Sequence, residues 1–367
     1  MKKLRKPVIG GVAAVAMLGA LAACGEAPEE SPESGSGGGE GGGSDYKPCI
    51  VSDAGGFDDR SFNQLGFEGI TQAADELGVE VTEVESNSQN DFAPNLENLV
   101  AEGCTGIVSV GFALSAATIE SANANPEIDY FLIDDAADAD FDGEKDAENV
   151  KPLLYNTAEA AFLAGYAAAD FSETGKVGTY GGEPFPTVTI FMDGFRQGVE
   201  YYNEEKGENV ELVGWDGENG SFTGGFEEGP AATNTATQIL DQDVDVIMPV
   251  GGPIYEGAVT AIADSNRDVA LIGVDADLFE TDPDIGDLVL TSVQKGMDVS
   301  TYEAVLAAGE GSFDGEPYVG TLENEGVGLA PFHDFESQIS DSLAGELDDV
   351  RQQIIDGEIT VESYLNQ

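Results

Sequence analysis

Cations are scarce in this sequence. Against 71 aspartates and glutamates it has 14 lysines and arginines, for a formal net charge of −57. Such a surface repels nucleic acid and anionic lipid headgroups, so no nucleic-acid partner is expected. The acidity itself reads as solubility or salt adaptation. A single histidine, His333, lies near the chain end in APFHDF and removes the usual Ser-His and Cys-His arrangements. No cluster of His, Cys and carboxylates has zinc spacing, so no metal site is expected. After the first two dozen residues there is no long apolar run, so the body is expected to be soluble. The first strand-to-helix turn, DAGGFDDRSFN (53–63), has neither G-x-G-x-x-G spacing nor a P-loop lysine, and no cofactor is expected.

What is present begins with Lys2, Lys3, Arg5 and Lys6, followed by an apolar stretch from Val8 to Ala23 that is too short and too rich in small residues for a stable span. That is a secretory signal, residues 1–23. It closes on Leu21-Ala22-Ala23-Cys24, which resembles the bacterial lipoprotein signal-peptidase site. Cys24 is therefore expected to carry acyl chains, palmitate among them, and to anchor the protein in the cell membrane on its extracytoplasmic face. Residues 24–45, mostly Glu, Pro, Ser and Gly, read as a flexible tether. Removal of the signal leaves ten cations in the body, so a lysine or arginine inside a motif is informative. Cys49 and Cys104 remain as an even pair at two strand starts in an oxidising compartment, either as a disulfide or as two buried thiols.

From Lys47 short apolar runs alternate with amphipathic segments at helical spacing, the α/β signature. CIVSD (49–53), VEVTEV (79–84), GIVSVGF (106–112) and YFLIDD (130–135) read as strands. Between the first two, Phe62, Leu65, Ile70, Ala73 and Leu77 share a helix face that Gly78 ends. KVGTYGG (176–182), VDVIMPVGG (244–252) and VALIGVDAD (269–277) begin the arrangement again, and a last helix is expected over about 337–355. The expected fold is two Rossmann-like lobes with a hinge and an interlobe cleft, residues 46–155 and 273–298 forming lobe 1 and 156–272 and 299–367 forming lobe 2. Ligands bind where the carboxyl ends of such strands converge.

VSDAGGFDDRSFNQLGFEG (51–69), GIVSVGF (106–112), FLIDD (131–135), FMDGFRQGV (191–199), PVGGP (249–253), IGVDAD (272–277) and TSVQKGMD (291–298) occur in one order across 47–335. In that order the chain resembles the basic membrane lipoprotein family, purine-nucleoside-binding proteins of ABC importers. The resemblance implies a fold like that of type I periplasmic binding proteins and a nucleoside held between the lobes. It also implies ABC permease and ATPase subunits as partners. By position Asp53, Phe62, Asn63, Asp275 and Lys295 match the family's binding motif. Gly252 would offer backbone, Phe222 a second stacking ring, and Asp135 or its neighbour Asp134 a contact to the base edge.

The chemistry suits these roles, since rings stack on a flat base while carboxylates accept from vicinal hydroxyls and lysine donates. Each residue also has a plainer reading: Asp53 as a helix cap, Phe62 as core, Asp275 and Asp277 as loop carboxylates. The sequence departs from the family at Ala116 in GFALSAAT, where many members carry an acid, which leaves the choice of base open. A sugar or other small polar solute on the same scaffold, an anchored sensor without transport, and a two-carboxylate hydrolase drawn from Asp53, Asp58, Asp59, Asp275 and Asp277 are the alternatives. The anchor and tether suit delivery to a permease better than catalysis.

Overall fold

The apolar runs become parallel strands buried on both faces, which is why they read as continuous rather than alternating. The computed structural model describes residues 45–139 and 142–366. The signal, Cys24 and all of the tether except Asp45 lie outside the described residues.

In chain order the first series is β1 (Pro48–Val51), α1 (Phe62–Leu77), β2 (Thr82–Val84), α2 (Gln89–Ala101), β3 (Gly106–Val110), α3 (Ser115–Ala124), β4 (Asp129–Ile133) and β5 (Val150–Tyr155). The second series is α4 (Thr157–Phe171), β6 (Lys176–Gly181), α5 (Pro186–Lys206), β7 (Glu211–Val213), α6 (Pro230–Leu240), β8 (Val246–Val250), α7 (Tyr255–Ser265), β9 (Ala270–Asp275), α8 (Leu278–Thr281) and β10 (Val289–Lys295). The chain ends with α9 (Met297–Gly309), β11 (Tyr318–Gly320), β12 (Val327–Leu329) and α10 (Leu343–Ile355).

Two six-stranded sheets result, ordered β11-β5-β4-β3-β1-β2 and β12-β10-β9-β8-β6-β7. All neighbours pair parallel except β10 with β12. The two sheets repeat one topology, so β1, β3 and β4 of the first correspond to β6, β8 and β9 of the second. In each, the strand order reverses between the first and third strands, which opens a crevice at their carboxyl ends.

Three differences from the sequence reading concern the chain's route. β9 and β10 extend the second sheet, so most of 273–298 belongs to lobe 2 rather than lobe 1. Conversely α9 packs on α1 and β11 pairs with β5, so 297–320 belongs to lobe 1. The chain therefore crosses between lobes at 155–157, 295–297 and 320–327. The last helix begins at Leu343, after a short 3-10 turn at His333–Phe335.

Local chemistry fixes the elements next to the crevice. The Asp59 carboxylate accepts the backbone N–H groups of Ser61 (3.1 Å), Asn63 (2.8 Å) and Gln64 (3.0 Å), capping the orphan donors of α1. Gly78 ends the helix in the left-handed conformation at φ 70°. β1 and β3 lie side by side, bringing the buried Cys49 and Cys104 sulfurs to bonding distance with Cα atoms 6.0 Å apart.

α1 and α9 cross at Gly69, where a side-chain carbon would run into the Asp298 carbonyl and Thr301. This crossing positions the start of α9 directly after Lys295. Replacing glycine by alanine inside a helix ordinarily stabilises by about 0.5–1 kcal/mol. Gly69→Ala is expected instead to destabilise by roughly 1–3 kcal/mol through overpacking, read as a lower urea midpoint at unchanged m-value. A raised midpoint would show that the crossing has room to relax.

Candidate functional site

The carboxyl ends of both sheets enclose a cavity of about 770 Å³ between the lobes, within the range of small-molecule sites. Its floor is built from equivalent positions. Asp134 follows β4 and Asp275 ends β9, and both lie in the left-handed region, at φ 64° and 69°, with 5% exposure. Lys295, at the end of β10, stands between them. Its ammonium pairs with Asp134 Oδ2 and lies 3.5 Å from Asp275 Oδ1. The rings of Phe191, Phe62 and Tyr155 surround it at 5.0, 5.1 and 5.8 Å from Nζ to the ring centroids. Burial alone would depress this ammonium, but the Asp134 and Asp275 carboxylates more than reverse that and hold it above the ordinary lysine value. Two carboxylates facing one ammonium leave surplus acceptor capacity, and Asp134 Oδ1 takes no hydrogen bond among the described residues.

The wall from the first lobe is the turn after β1. Asp53 Oδ1 accepts from Asn63 Nδ2 (2.7 Å) and from the Gly55 N–H (3.1 Å), and Oδ2 takes no hydrogen bond among the described residues. Asn63 is 1% exposed. Its amide also donates to Asp59 Oδ2 (3.1 Å) and accepts the Asp53 N–H (3.2 Å). Both amide hydrogens of Asn63 are thus taken, and it orients Asp53 rather than offering a free donor. Burial pushes the Asp53 carboxyl up to about 6; the hydrogen bonds from Asn63 and Gly55 oppose the shift, and Asp59 and Asp275 add to it.

Aromatic rings form the remaining walls. Phe62, at the first position of α1, lines the cavity with Phe112, Phe185, Phe191 and Phe226. Phe112 of the first lobe meets Phe185 of the second at 4.5 Å between centroids and Phe226 at 6.3 Å. Gly182 and Gly251 lie against the Phe226 ring, which a side chain at either position would strike. Gly252 also lines the cavity, at φ 56°, with nothing close to the place of a side chain.

The structure brings Asp53, Phe62, Asn63, Gly252, Asp275 and Lys295 to one cavity and leaves two expected residues outside it. Phe222 does not line it. Residues 221–224 run alongside β6 through Gly181 N–H to Ser221 O (3.0 Å), Thr223 N–H to Gly181 O (3.0 Å) and Gly224 N–H to Gly182 O (2.9 Å), and Phe222 packs edge-on against Trp215. The chain turns at Gly224-Gly225, so the ring at the cavity is Phe226, four residues later. Asp135 is also displaced: it accepts from Ser115 Oγ (2.6 Å) and the Ala137 N–H (2.8 Å), holding its own turn, while Asp134 lines the cavity. The sequence does not single out Phe112, Phe185, Phe191 and Phe226 as lining residues, and it offers Asp59 only as a carboxylate of the hydrolase alternative. The Gly-Gly pair before Phe226 was the available signal. Among the described residues no group of three or more His, Cys, Asp or Glu is arranged to hold a metal ion.

The raised Asp53 value has a defined sign. Since 3.8 in the unfolded chain becomes about 6 when folded, the folded state binds the extra proton between these values. The group's stability contribution is therefore present below pH 3.8 and lost as pH rises through about 6. Asp53→Asn keeps the acceptor and removes the charge, so the variant should gain on the parent protein between pH 4 and pH 7.5 in urea unfolding. A gap independent of pH would place the titration elsewhere.

Residues 47–364 match the Bmp family, described as ABC transporter substrate-binding protein, PnrA-like. The chain is 29% identical over 337 residues to the ABC transporter nucleoside-binding protein BmpA of Lactococcus lactis, covering 87% of this chain and 90% of that one. An uncharacterized lipoprotein of Pyrococcus abyssi is 31% identical, over 77% of this chain and 68% of its own. A solute-binding protein of an ABC transporter system from Aeropyrum pernix superposes with a TM-score of 0.76 at 28% identity, covering 86% of this chain and 92% of that one. With a family match that spans both lobes and the cavity between them, the chain belongs to the Bmp family and is a substrate-binding protein of ABC transport rather than an enzyme.

Proposed function

We propose that this protein captures a nucleoside, purine nucleosides before others, and delivers it to the permease and ATPase of an ABC importer. The observation that carries the reading is the cavity's division of labour. Aromatic faces of Phe62 and Phe226 lie with a floor of Asp134, Lys295 and Asp275 whose carboxylates outnumber its one ammonium. A nucleoside offers the complement, a flat heterocycle joined to a pair of vicinal hydroxyls. Asp53 would accept from the ligand through its open oxygen, and Gly252 would offer backbone. The printed name of the Lactococcus lactis relative supports the same class.

The site reading is tested by calorimetry with guanosine, inosine, uridine, ribose and arabinose. Asp275→Asn tolerates the left-handed backbone and removes a charged acceptor, with an expected loss of roughly 1.5–3 kcal/mol for any ribose-bearing ligand, or about 10- to 150-fold. Phe226→Ala should cost about 1–3 kcal/mol for nucleosides and leave free pentoses unaffected. Equal losses for guanosine and ribose in Phe226→Ala, or tighter binding of arabinose than of guanosine by the parent protein, would replace the nucleoside reading by a sugar-binding one.

We further propose that the body stands on the extracytoplasmic face of the membrane, tethered through acylated Cys24, with Cys49 and Cys104 joined as a disulfide. Among the described residues no helix is long and apolar enough to cross a membrane, so the lipid would be the attachment. In cells, Cys24→Ser should abolish acyl labelling and release the protein from membranes or leave its precursor unprocessed. Full acylation and retention of that variant would refute the anchor.

A further inference from the structure

Among the described residues, two ion pairs reach from one lobe to the other. Lys295 with Asp134 lies on the cavity floor. The second, Arg60 with Asp282, involves neither a lining residue nor a hinge segment. Arg60 belongs to the turn between β1 and α1, the same turn that carries Asp53, Gly55 and Asp59 into the cavity. Its backbone lies at φ 56°, which is uncommon for a long side chain. Asp59 holds it there, since its carboxylate accepts the N–H groups of Ser61, Asn63 and Gln64 immediately after it.

From that position the Arg60 guanidinium places Nη1 2.8 Å from Asp282 Oδ2. The same oxygen accepts the Tyr255 hydroxyl at 2.9 Å, and Asp282 is only 6% exposed. Asp282 follows α8 and Tyr255 begins α7, both in the second lobe. The neighbouring Ser61 grips that lobe independently, donating to Asp275 Oδ2 at 3.1 Å and approaching the Val274 carbonyl at 3.4 Å. Two consecutive residues of a ligand-facing turn in one lobe are thus fastened to two places on the other. In a body with ten cations, one of them is committed to a contact across the lobes.

We propose that Arg60 is a positioning residue: through Asp282 and Tyr255 it clasps the 54–61 turn to the second lobe and biases the cleft toward its binding-competent closure without touching the ligand. The effect follows from population arithmetic. Apparent affinity is the intrinsic affinity scaled by the competent fraction, so loosening the clasp weakens every ligand by one common factor. The proposal rests on the solute-binding reading for its affinity consequence and on geometry alone for its effect on closure.

The test is a double-mutant cycle with Arg60→Asn, which tolerates the positive φ, and Asp282→Asn, which preserves shape. Small-angle scattering on the ligand-free full chain reads closure, and calorimetry with guanosine and inosine reads affinity. Each single variant should enlarge the radius of gyration and weaken both nucleosides by the same factor, about twofold to fivefold for a half-exposed charged pair. The double variant should go no further than either single one, because the two residues act through one contact, and Arg60→Lys should recover most of the closure. Unchanged scattering in the single variants, additive losses in the double variant, or unequal losses for guanosine and inosine would each overturn the clasp. Absence of nucleoside binding by the parent protein would instead sink the ligand assignment, while the scattering arm still decides the clasp.

Discussion

The Lys295 ammonium sits between the two lobes and draws a carboxylate from each. It is 4% exposed and enclosed by three aromatic rings, surroundings that disfavour a charged group unless carboxylates stand close by. One of these, Asp275, comes from Lys295's own sheet, and the other, Asp134, comes from the opposite one. The charge is therefore paired from both lobes at once. The same arrangement leaves more carboxylate than ammonium on the cleft floor, so the contact that holds the lobes together also makes a surface that accepts hydroxyl hydrogens. Mechanical linkage and ligand chemistry share one set of atoms.

That set exists because the chain folds the same topology twice. Asp134 and Asp275 stand at the ends of corresponding strands, adopt the same left-handed backbone, and point their carboxylates at one lysine. After the corresponding strands β3 and β8 the lobes diverge. Each continues through a glycine at positive φ into a 3-10 turn, but that turn begins with Phe112 in the first lobe and with Gly252 in the second. A ring at this position in one lobe thus corresponds to bare backbone in the other. The second lobe places its own ring, Phe226, on the bare surface of Gly182 and Gly251. Symmetry supplies the charged floor, and the departures from symmetry shape the aromatic walls.

Much of this is legible in the sequence because its causes are local. Buried parallel strands read as apolar runs, Gly78 marks the end of α1, and the turn from Asp53 to Asn63 sits at a strand end where ligands gather. What escaped depends on pairings between distant segments. Phe222 and Phe226 are equally aromatic, and only the docking of 221–224 against β6 decides which one reaches the cavity. Asp134 and Asp135 are adjacent, and the hydrogen bonds from Ser115 and Ala137 turn the second away. β11 and β12 have three residues each, too short for periodicity to register. Without them the crossing at 320–327 is invisible, and 273–298 is assigned to the wrong lobe. Arg60 and Asp282 are 222 positions apart in the chain, and no spacing rule connects them.

The strong acidity gives these few cations a particular weight. Two of them form no close ion pair among the described residues and gather backbone carbonyls instead: Lys145 donates to those of Glu148, Val150 and Gly315, and Arg267 to those of Leu240 and Val244. They act as staples within a lobe and leave most surface carboxylates unneutralised. Closing two strongly acidic lobes upon each other then works against their mutual repulsion, and the cleft mouth adds Glu183, Glu227 and Glu228 to that load. Against it stand the contact between the Phe112 and Phe185 rings, which carries no charge, and two ion pairs across the lobes. Added salt screens the diffuse repulsion and the half-exposed Arg60 pair together, while the buried Lys295 pair is largely protected. Salt therefore acts on closure in two opposing ways at the surface and scarcely at all at the floor. A protein built in this way keeps its lobes linked through the floor across a wide range of ionic strength, with the exposed clasp as the contact that salt adjusts.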